Sequence, residues 1–325
     1  MTDTGAKGDI NMTSEEPGNS VKSVTVADES SQSIRNEVRR NYAEIAKKGT
    51  TSCCVSATSS QTSSCCASSA AAGSTDSSAS VDEFAERLGY SPEELKQIPG
   101  GANMALSCGN PTAIAALMPG ETVLDLGSGG GFDAFLAGPK VGAKGRVIGV
   151  DMTPEMLEKA RTNTVGYRRS TGLDNVEFRL GEIEHLPVGD ASIDVVISNC
   201  VINLSTDKRQ VWKEIARVLK PGGRVAVSDI TLLKPLPEPI LNMIAAYVGC
   251  IAGAVHIDEY EAMIRNAGLE DVVLTPKREF MDAFMQSEDS LAQTIAEHLS
   301  AEVQPRDFVT SVDVAAAKPG GGSDR

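Results

Sequence analysis

The residues of this chain best able to do chemistry are seven cysteines and one run of glycines. Cys200 stands in "ISNCVINLS", where the apolar run Ile193 to Ser198 gives way to a loop, Cys108 in "LSCGNPTA" and Cys250 in "YVGCIAGAV". Cys53, Cys54, Cys65 and Cys66 form two adjacent pairs with ten residues between them, a spacing that matches no zinc finger. An odd number of cysteines without secretory features points to free thiols, soft-ion ligands or redox chemistry rather than structural disulfides. Each isolated cysteine also has a plain alternative as a small buried hydrophobe. The second constellation is "VLDLGSGGGFD", with glycines at 127, 129, 130 and 131. Phe132 takes the place of the last glycine of GxGxxG, so the dinucleotide fingerprint is not met. The glycines still let backbone approach a ligand at a helix start, and Asp151, ending the next strand, can accept hydrogen bonds from a ribose diol. Together they predict a nucleoside cofactor; a tight turn plus a solvated acid is the alternative.

These groups need a scaffold, and the chain beyond Cys108 supplies one. "TVLDLG", "RVIGVD", "NVEFRL", "IDVVIS" and "GRVAVSDI" are β-branched runs separated by helical patterns, the signature of a parallel, doubly wound α/β sheet. A short strand near "EDVVLT" and a closing strand in "DFVTSVDVAAAK" raise the count to seven, mostly parallel. Upstream, Ile34, Val38, Tyr42 and Ile45 recur at helical spacing within Ser31 to Lys48, with Ser31 or Ser33 as cap. "VDEFAERLG" and "SPEELKQI" read as two further short helices, the second capped by Ser91 with Pro92 at its first position.

Composition narrows the partners. The 44 acidic against 30 basic residues oppose binding to phosphate backbones or anionic membranes, so a small molecule is expected and nucleic acid is not. The longest apolar stretch, "ILNMIAAYVGCIAGAV", is too short to span a bilayer. The opening residues lack the basic-then-apolar order of a signal peptide, which leads to the expectation of a cytoplasmic protein, taken as a monomer.

The run of motifs resembles the class I S-adenosylmethionine-dependent methyltransferases, with a Rossmann-like sheet. "VLDLGSGGG" is similar to that family's first motif, "VIGVDMTPEML" to its second, "GEIEHLP" to the adenine-binding turn, "IDVVISN" to the fourth strand and "VLKPGGRVAVSD" to the fifth. The resemblance implies that Gly127 and Gly129 face the amino-acid part of the cofactor and that Asp125 orients the glycine loop. It also implies that Asp151 holds the ribose hydroxyls, Met152 packs on the adenine, Glu182 and Ile183 line the adenine edge, and Asn199 belongs to the cofactor site. Expected regions are a disordered arm (1–30), a helix (31–48), a Ser/Ala/Cys-rich linker (49–80), the cofactor-binding domain (81–235), a substrate roof with the closing strand (236–317) and a loose tail (318–325).

Ligands of an open parallel sheet bind beyond the carboxyl ends of its strands. Cys200, after the fourth strand, Cys108, in the N-terminal cover, and Cys250, in the insertion after the fifth strand, are therefore expected to converge. Acceptors on oxygen or nitrogen want an acid or base, and of His185, His256 and His298 only His256 falls near the roof. Three thiolates instead suit a soft trivalent centre such as arsenic(III), whose lone pair is itself a nucleophile. "SCGNPTAIAALMPGETVLDLGSGGG", "ISNCVINLSTDK" and "GCIAGA" resemble the arsenite methyltransferases. By that resemblance Cys108, Cys200 and Cys250 are the arsenic ligands, S-adenosylmethionine the methyl donor, and glutathione or thioredoxin the thiol reductant. It also implies that an upstream cysteine, Cys53, Cys54, Cys65 or Cys66, pairs with Cys108 during turnover. A methyltransferase for a small quinone or sterol-type acceptor, or a metalloid-sequestering or sensing protein on the same fold, are the alternatives.

Overall fold

Seven strands, β1 (Thr122–Leu126), β2 (Arg146–Asp151), β3 (Val176–Leu180), β4 (Ile193–Asn199), β5 (Leu219–Leu232), β6 (Glu270–Lys277) and β7 (Val309–Ala317), form one sheet in the order β3-β2-β1-β4-β5-β7-β6. The computed structural model describes residues 26–48, 77–236, 251, 253–277 and 305–321. Strands β1 to β5 pair in parallel, and β7 runs antiparallel between β5 and β6. This is the Rossmann-like, mostly parallel sheet expected from the strand pattern. The strand order reverses between β1 and β4, so the ligand crevice belongs at their carboxyl ends.

The strands read as nearly continuous apolar runs because both faces of the sheet are covered. On one face Val123, Val147, Val195, Ile197 and Ala226 pack with Phe135, Leu157 and Tyr167. On the other, Leu124, Leu126, Val196 and Val225 pack with Trp212, Ile215, Tyr260 and Ile264. The first face is covered by α5 (Phe132–Val141) and α6 (Pro154–Thr171), the second by α7 (Lys208–Val218) and α8 (Ile257–Asn266).

The N-terminal helix α1 runs Val26–Lys48, beginning before the expected start at Ser31. Ser31 and Ser33 thus lie inside the helix rather than capping it, and the boundary expected for the arm at residue 30 falls within a helix. The next helix, α2 (Ser77–Arg87), likewise starts inside the segment assigned to the linker. In both cases the added residues, "VADES" and "SSAS", carry no apolar repeat from which a helix could be read. Helix α3 (Pro92–Leu95) carries the expected cap: the Glu94 N–H donates to Ser91 Oγ at 3.2 Å, and the Glu94 carboxylate accepts from the Ser91 N–H at 2.9 Å. A fourth short helix, α4 (Pro111–Ile114), leads toward β1. The "KPGG" stretch ends α7 as expected but lies within β5, where a register shift between Ile193 and Val195 of β4 absorbs it.

Candidate functional site

The β1–α5 turn is the most constrained backbone of the crevice. Gly127 has φ +64°, and a Cβ there would stand 2.1 Å from Val201 Cγ2, so only glycine fits against the segment that follows β4. Asp151, at the end of β2, holds the loop in place: its carboxylate accepts the Gly129 N–H at 2.9 Å and the Thr153 N–H at 2.8 Å. Asp125 and Asp133 are buried close by. One carboxylate oxygen of Asp125 has no hydrogen-bond partner among the described residues. Burial raises the pKa of Asp125 well above the usual carboxylate range, and the neighbouring Asp133 and Asp151 raise it further. Burial also raises Asp151, against the pull of the Thr153 and Gly129 N–H groups. Asp133 is pushed up to about 6 by burial, opposed by hydrogen bonds from Asn199 and Tyr90. Three acids around one cavity, two of them buried and Asp151 half-buried, make a receptor for positive charge.

Helix α1 covers this cavity, which measures about 1050 Å³ including its open mouth. Arg35, Val38 and Tyr42 line it from above, and Ile45 anchors the helix by packing with Met104 and Met156. Asp125, Gly127, Gly129, Asp151, Met152, Ile183 and Asn199 all line the cavity. Glu182 does not: its side chain turns outward to Arg39, 3.2 Å away, and Glu184 lines the cavity instead. Glu184 accepts a hydrogen bond from Ser205 Oγ at 2.5 Å. The chain reverses here through a bridge between Glu182 and His185, so the second of two closely spaced glutamates faces inward.

At the other end of the cavity Cys200 follows β4 directly, with φ +56°, and its N–H donates to the Ser228 carbonyl at 2.9 Å. It is disulfide-bonded to Cys108, 92 residues earlier in the chain, with the two Cα atoms 5.9 Å apart. Cys108 is placed by three contacts. Its N–H donates to Asn199 Oδ1 at 3.0 Å, its carbonyl accepts from Ser311 Oγ at 2.8 Å, and Gly109 lies so near β5 that a Cβ would meet Ser228 Oγ at 2.5 Å. The Asn199 amide nitrogen lies 3.0 Å from Asp133 Oδ2, 3.0 Å from the Gly109 carbonyl and 3.1 Å from Tyr90 Oη. Asn199 thus joins the acid cluster to the cysteine segment.

The structure brings Cys108 and Cys200 together as expected, but bonded to each other, where the sequence expectation paired Cys108 with an upstream cysteine. Cys53, Cys54, Cys65, Cys66, Cys250 and His298 lie outside the described residues. His256 caps α8, accepting from the Asp258 N–H at 3.3 Å, and does not line the cavity. Sequence reasoning missed Asp133, Tyr90 and Asp229. An oxygen of Asp229 and the sulfurs of Cys108 and Cys200 lie within 4.8 Å of one another. Its position at the carboxyl end of β5 in "VSDI" was a usable signal, since crevice residues come from strand ends.

Comparison with known proteins places this geometry in context. A family profile described as a methyltransferase domain matches residues 117–268. The chain is 46% identical over 254 residues to the arsenite methyltransferase of Halobacterium salinarum, covering 78% of this chain and 62% of that protein. It is 42% identical over 159 residues to the arsenite methyltransferase of Aquipseudomonas alcaligenes, covering 48% of this chain and 46% of that one. It therefore spans less than two thirds of the length of these curated relatives. The crystal structure of CrArsM, an arsenic(III) S-adenosylmethionine methyltransferase from Chlamydomonas reinhardtii, superposes with a TM-score of 0.54 at 33% identity, covering 74% of each chain.

Proposed function

The chain belongs to the arsenic(III) S-adenosylmethionine methyltransferase family, and from that premise we propose that it methylates trivalent arsenic, forming mono- and dimethylated products in arsenic detoxification. The observation that carries the proposal is the position of Cys200. It lines the cavity of the glycine loop and is bonded to a second cysteine on the N-terminal cover.

The cavity residues fit S-adenosylmethionine. The orphaned oxygen of Asp125, the buried Asp133 and the half-buried Asp151 suit a ligand carrying a positively charged sulfur and an ammonium group. Bound there, the cofactor would supply an electrophilic methyl group. Asp151, its carboxylate fixed by two backbone N–H groups, is the acceptor for the ribose hydroxyls. Met152 and Ile183 supply the apolar walls for the adenine, and Gly127 and Gly129 allow close approach of the amino-acid part. Helix α1 excludes water above them.

Cys108, Cys200 and Cys250, as thiolates, hold the arsenical substrate, because soft sulfur donors select a soft trivalent centre. The arsenic lone pair becomes the new arsenic–carbon bond, so no general base is needed and positioning supplies most of the catalysis. The arsenic is formally oxidised by two electrons. Two thiols return those electrons by forming a disulfide, and two external thiol groups then reduce it by successive exchange, ending as a disulfide themselves. The Cys108–Cys200 bond supports the assignment of that pair to this step. Cys53, Cys54, Cys65 and Cys66 are relay candidates toward glutathione or the thioredoxin system. No described helix is long and apolar enough to cross a membrane, and we assign the protein to the cytoplasm as a monomer. Incubation with S-adenosylmethionine, arsenite and a thiol, with arsenic species resolved by chromatography, tests the activity. Methylated arsenic supports it, and unchanged arsenite from folded, cofactor-binding protein overturns it.

A further inference from the structure

Asp229 is the buried acid next to the cysteine pair, and three hydrogen bonds hold its carboxylate. Tyr260 Oη donates to its Oδ2 at 3.1 Å, while Asn203 Nδ2 and the Ile230 N–H donate to its Oδ1 at 3.0 and 2.9 Å. Tyr260 is fixed in turn against Trp212, their ring centroids 5.7 Å apart. Hydrogen bonds to a ligating carboxylate are how proteins orient it toward a metal. One oxygen of Asp229 and the two sulfurs lie within 4.8 Å of one another, all three residues buried. A tetrahedral zinc ion, with bonds of about 2.3 Å to sulfur and about 2.0–2.2 Å to oxygen, sets its donors roughly 3.5–3.8 Å apart. Opening the disulfide releases the two sulfurs from bonding distance, as such a donor set requires.

We propose that, once Cys108 and Cys200 are reduced, their thiolates and the Asp229 carboxylate bind a zinc-class divalent cation that competes with the arsenical for the same sulfurs. The inference rests on the assignment of these two cysteines as substrate-binding thiols. Two sulfurs and one oxygen exclude magnesium and calcium, which take oxygen donors in larger numbers. Three protein ligands leave a fourth position open, as zinc sites that exchange ligands do. Any protons on the two thiols and the carboxyl leave to buffer as the ion binds. The two electrons that open the disulfide come from an added phosphine, which becomes phosphine oxide with oxygen from water.

The test uses the full chain with Cys53, Cys54, Cys65 and Cys66 replaced by serine, reduced with a phosphine, desalted without oxygen and titrated with Co2+. Charge-transfer and tetrahedral d–d absorption report binding, and displacement by Zn2+ gives the zinc affinity. One tight equivalent is expected in the reduced chain and none in the oxidised chain. Cys108→Ser and Cys200→Ser should lose it, Asp229→Asn should weaken it by about tenfold or more, and Tyr260→Phe should weaken it less. Unchanged affinity in Asp229→Asn, or equal binding by the oxidised chain, overturns the site. So does loss of the ion in Cys250→Ser while Asp229→Asn keeps it. Should Asp229→Asn fail to fold, the oxidised–reduced comparison and Tyr260→Phe carry the test. Arsenite turnover by the parent chain is measured separately. Absence of turnover with the metal site intact sinks the proposed function alone, and turnover with no dependence of metal binding on Asp229 sinks this inference alone.

Discussion

Cys108 and Asn199, 91 residues apart in sequence, are joined by a 3.0 Å hydrogen bond from the cysteine N–H to the asparagine carbonyl oxygen. The same side chain reaches Asp133, so the segment carrying one proposed arsenic ligand is hung from the proposed cofactor site. Replacing Asn199 by Ala leaves a buried carboxyl without its amide and removes one of the contacts that place Cys108. The expected cost is about 1–3 kcal/mol of stability by chemical denaturation. Because a displacement of about 1 Å at a reacting group costs on the order of 100-fold, arsenite methylation should fall much further than cofactor affinity.

Gly127→Ala should abolish cofactor binding, because the new methyl meets Val201. Adding Val201→Ala removes the clash but leaves the left-handed φ, which costs a non-glycine residue roughly 1–2 kcal/mol. Calorimetric titration with S-adenosylmethionine should therefore show partial rescue in the double variant. Equal loss in both would mean that the steric contact does not limit binding.

The acid cluster sets a pH dependence. Asp133 titrates near 6 in the folded chain, above its unfolded value, because it is buried. Between the two values the folded state holds the extra proton, so its contribution to stability is full below the unfolded value and is lost as pH rises through about 6. Cofactor affinity runs the other way, since a cationic ligand favours the ionised acids. Affinity for S-adenosylmethionine should rise from pH 5 to pH 7.5, about the window set by Asp133, and Asp133→Asn should flatten the profile. Asp125 and Asp151 share the cluster, so the profile reports coupled acids rather than one residue.

Helix α1 packs through Ile45 on Met104 and Met156, while its Arg39–Glu182 pair is about one-third exposed on both sides. Ile45→Ala should cost about 2–4 kcal/mol where the helix meets Met104 and Met156. The variant should also weaken cofactor binding by exposing the cavity. Added salt, which weakens only the ion pairs, should have a much smaller effect on cofactor affinity.

The cofactor half of the site was legible because its residues are local in sequence. Strand, glycine loop and the acid at the end of the next strand fall within Thr122 to Asp151, and the continuous apolar runs of β1 and β2 mark them as central strands covered on both faces. Cys200 was legible for the same reason, as the residue that directly follows β4. Glu182 was misplaced because a tight turn decides which of two glutamates faces inward, and no periodicity operates there. The start of α1 was hidden because "VADES" has no apolar repeat. The Cys108–Cys200 bond and the approach of Asp229 depend on contacts across the sheet, which neither spacing nor composition encodes.

The central claim is that Cys200 is a substrate thiolate presented to the transferable methyl group, and Cys200→Ser tests it most directly. Calorimetry with S-adenosylmethionine and chromatographic resolution of arsenic species should be run on the same preparation. The account predicts that the cofactor still binds while arsenite goes unmethylated. Methylation of arsenite at the parent rate by Cys200→Ser would contradict it.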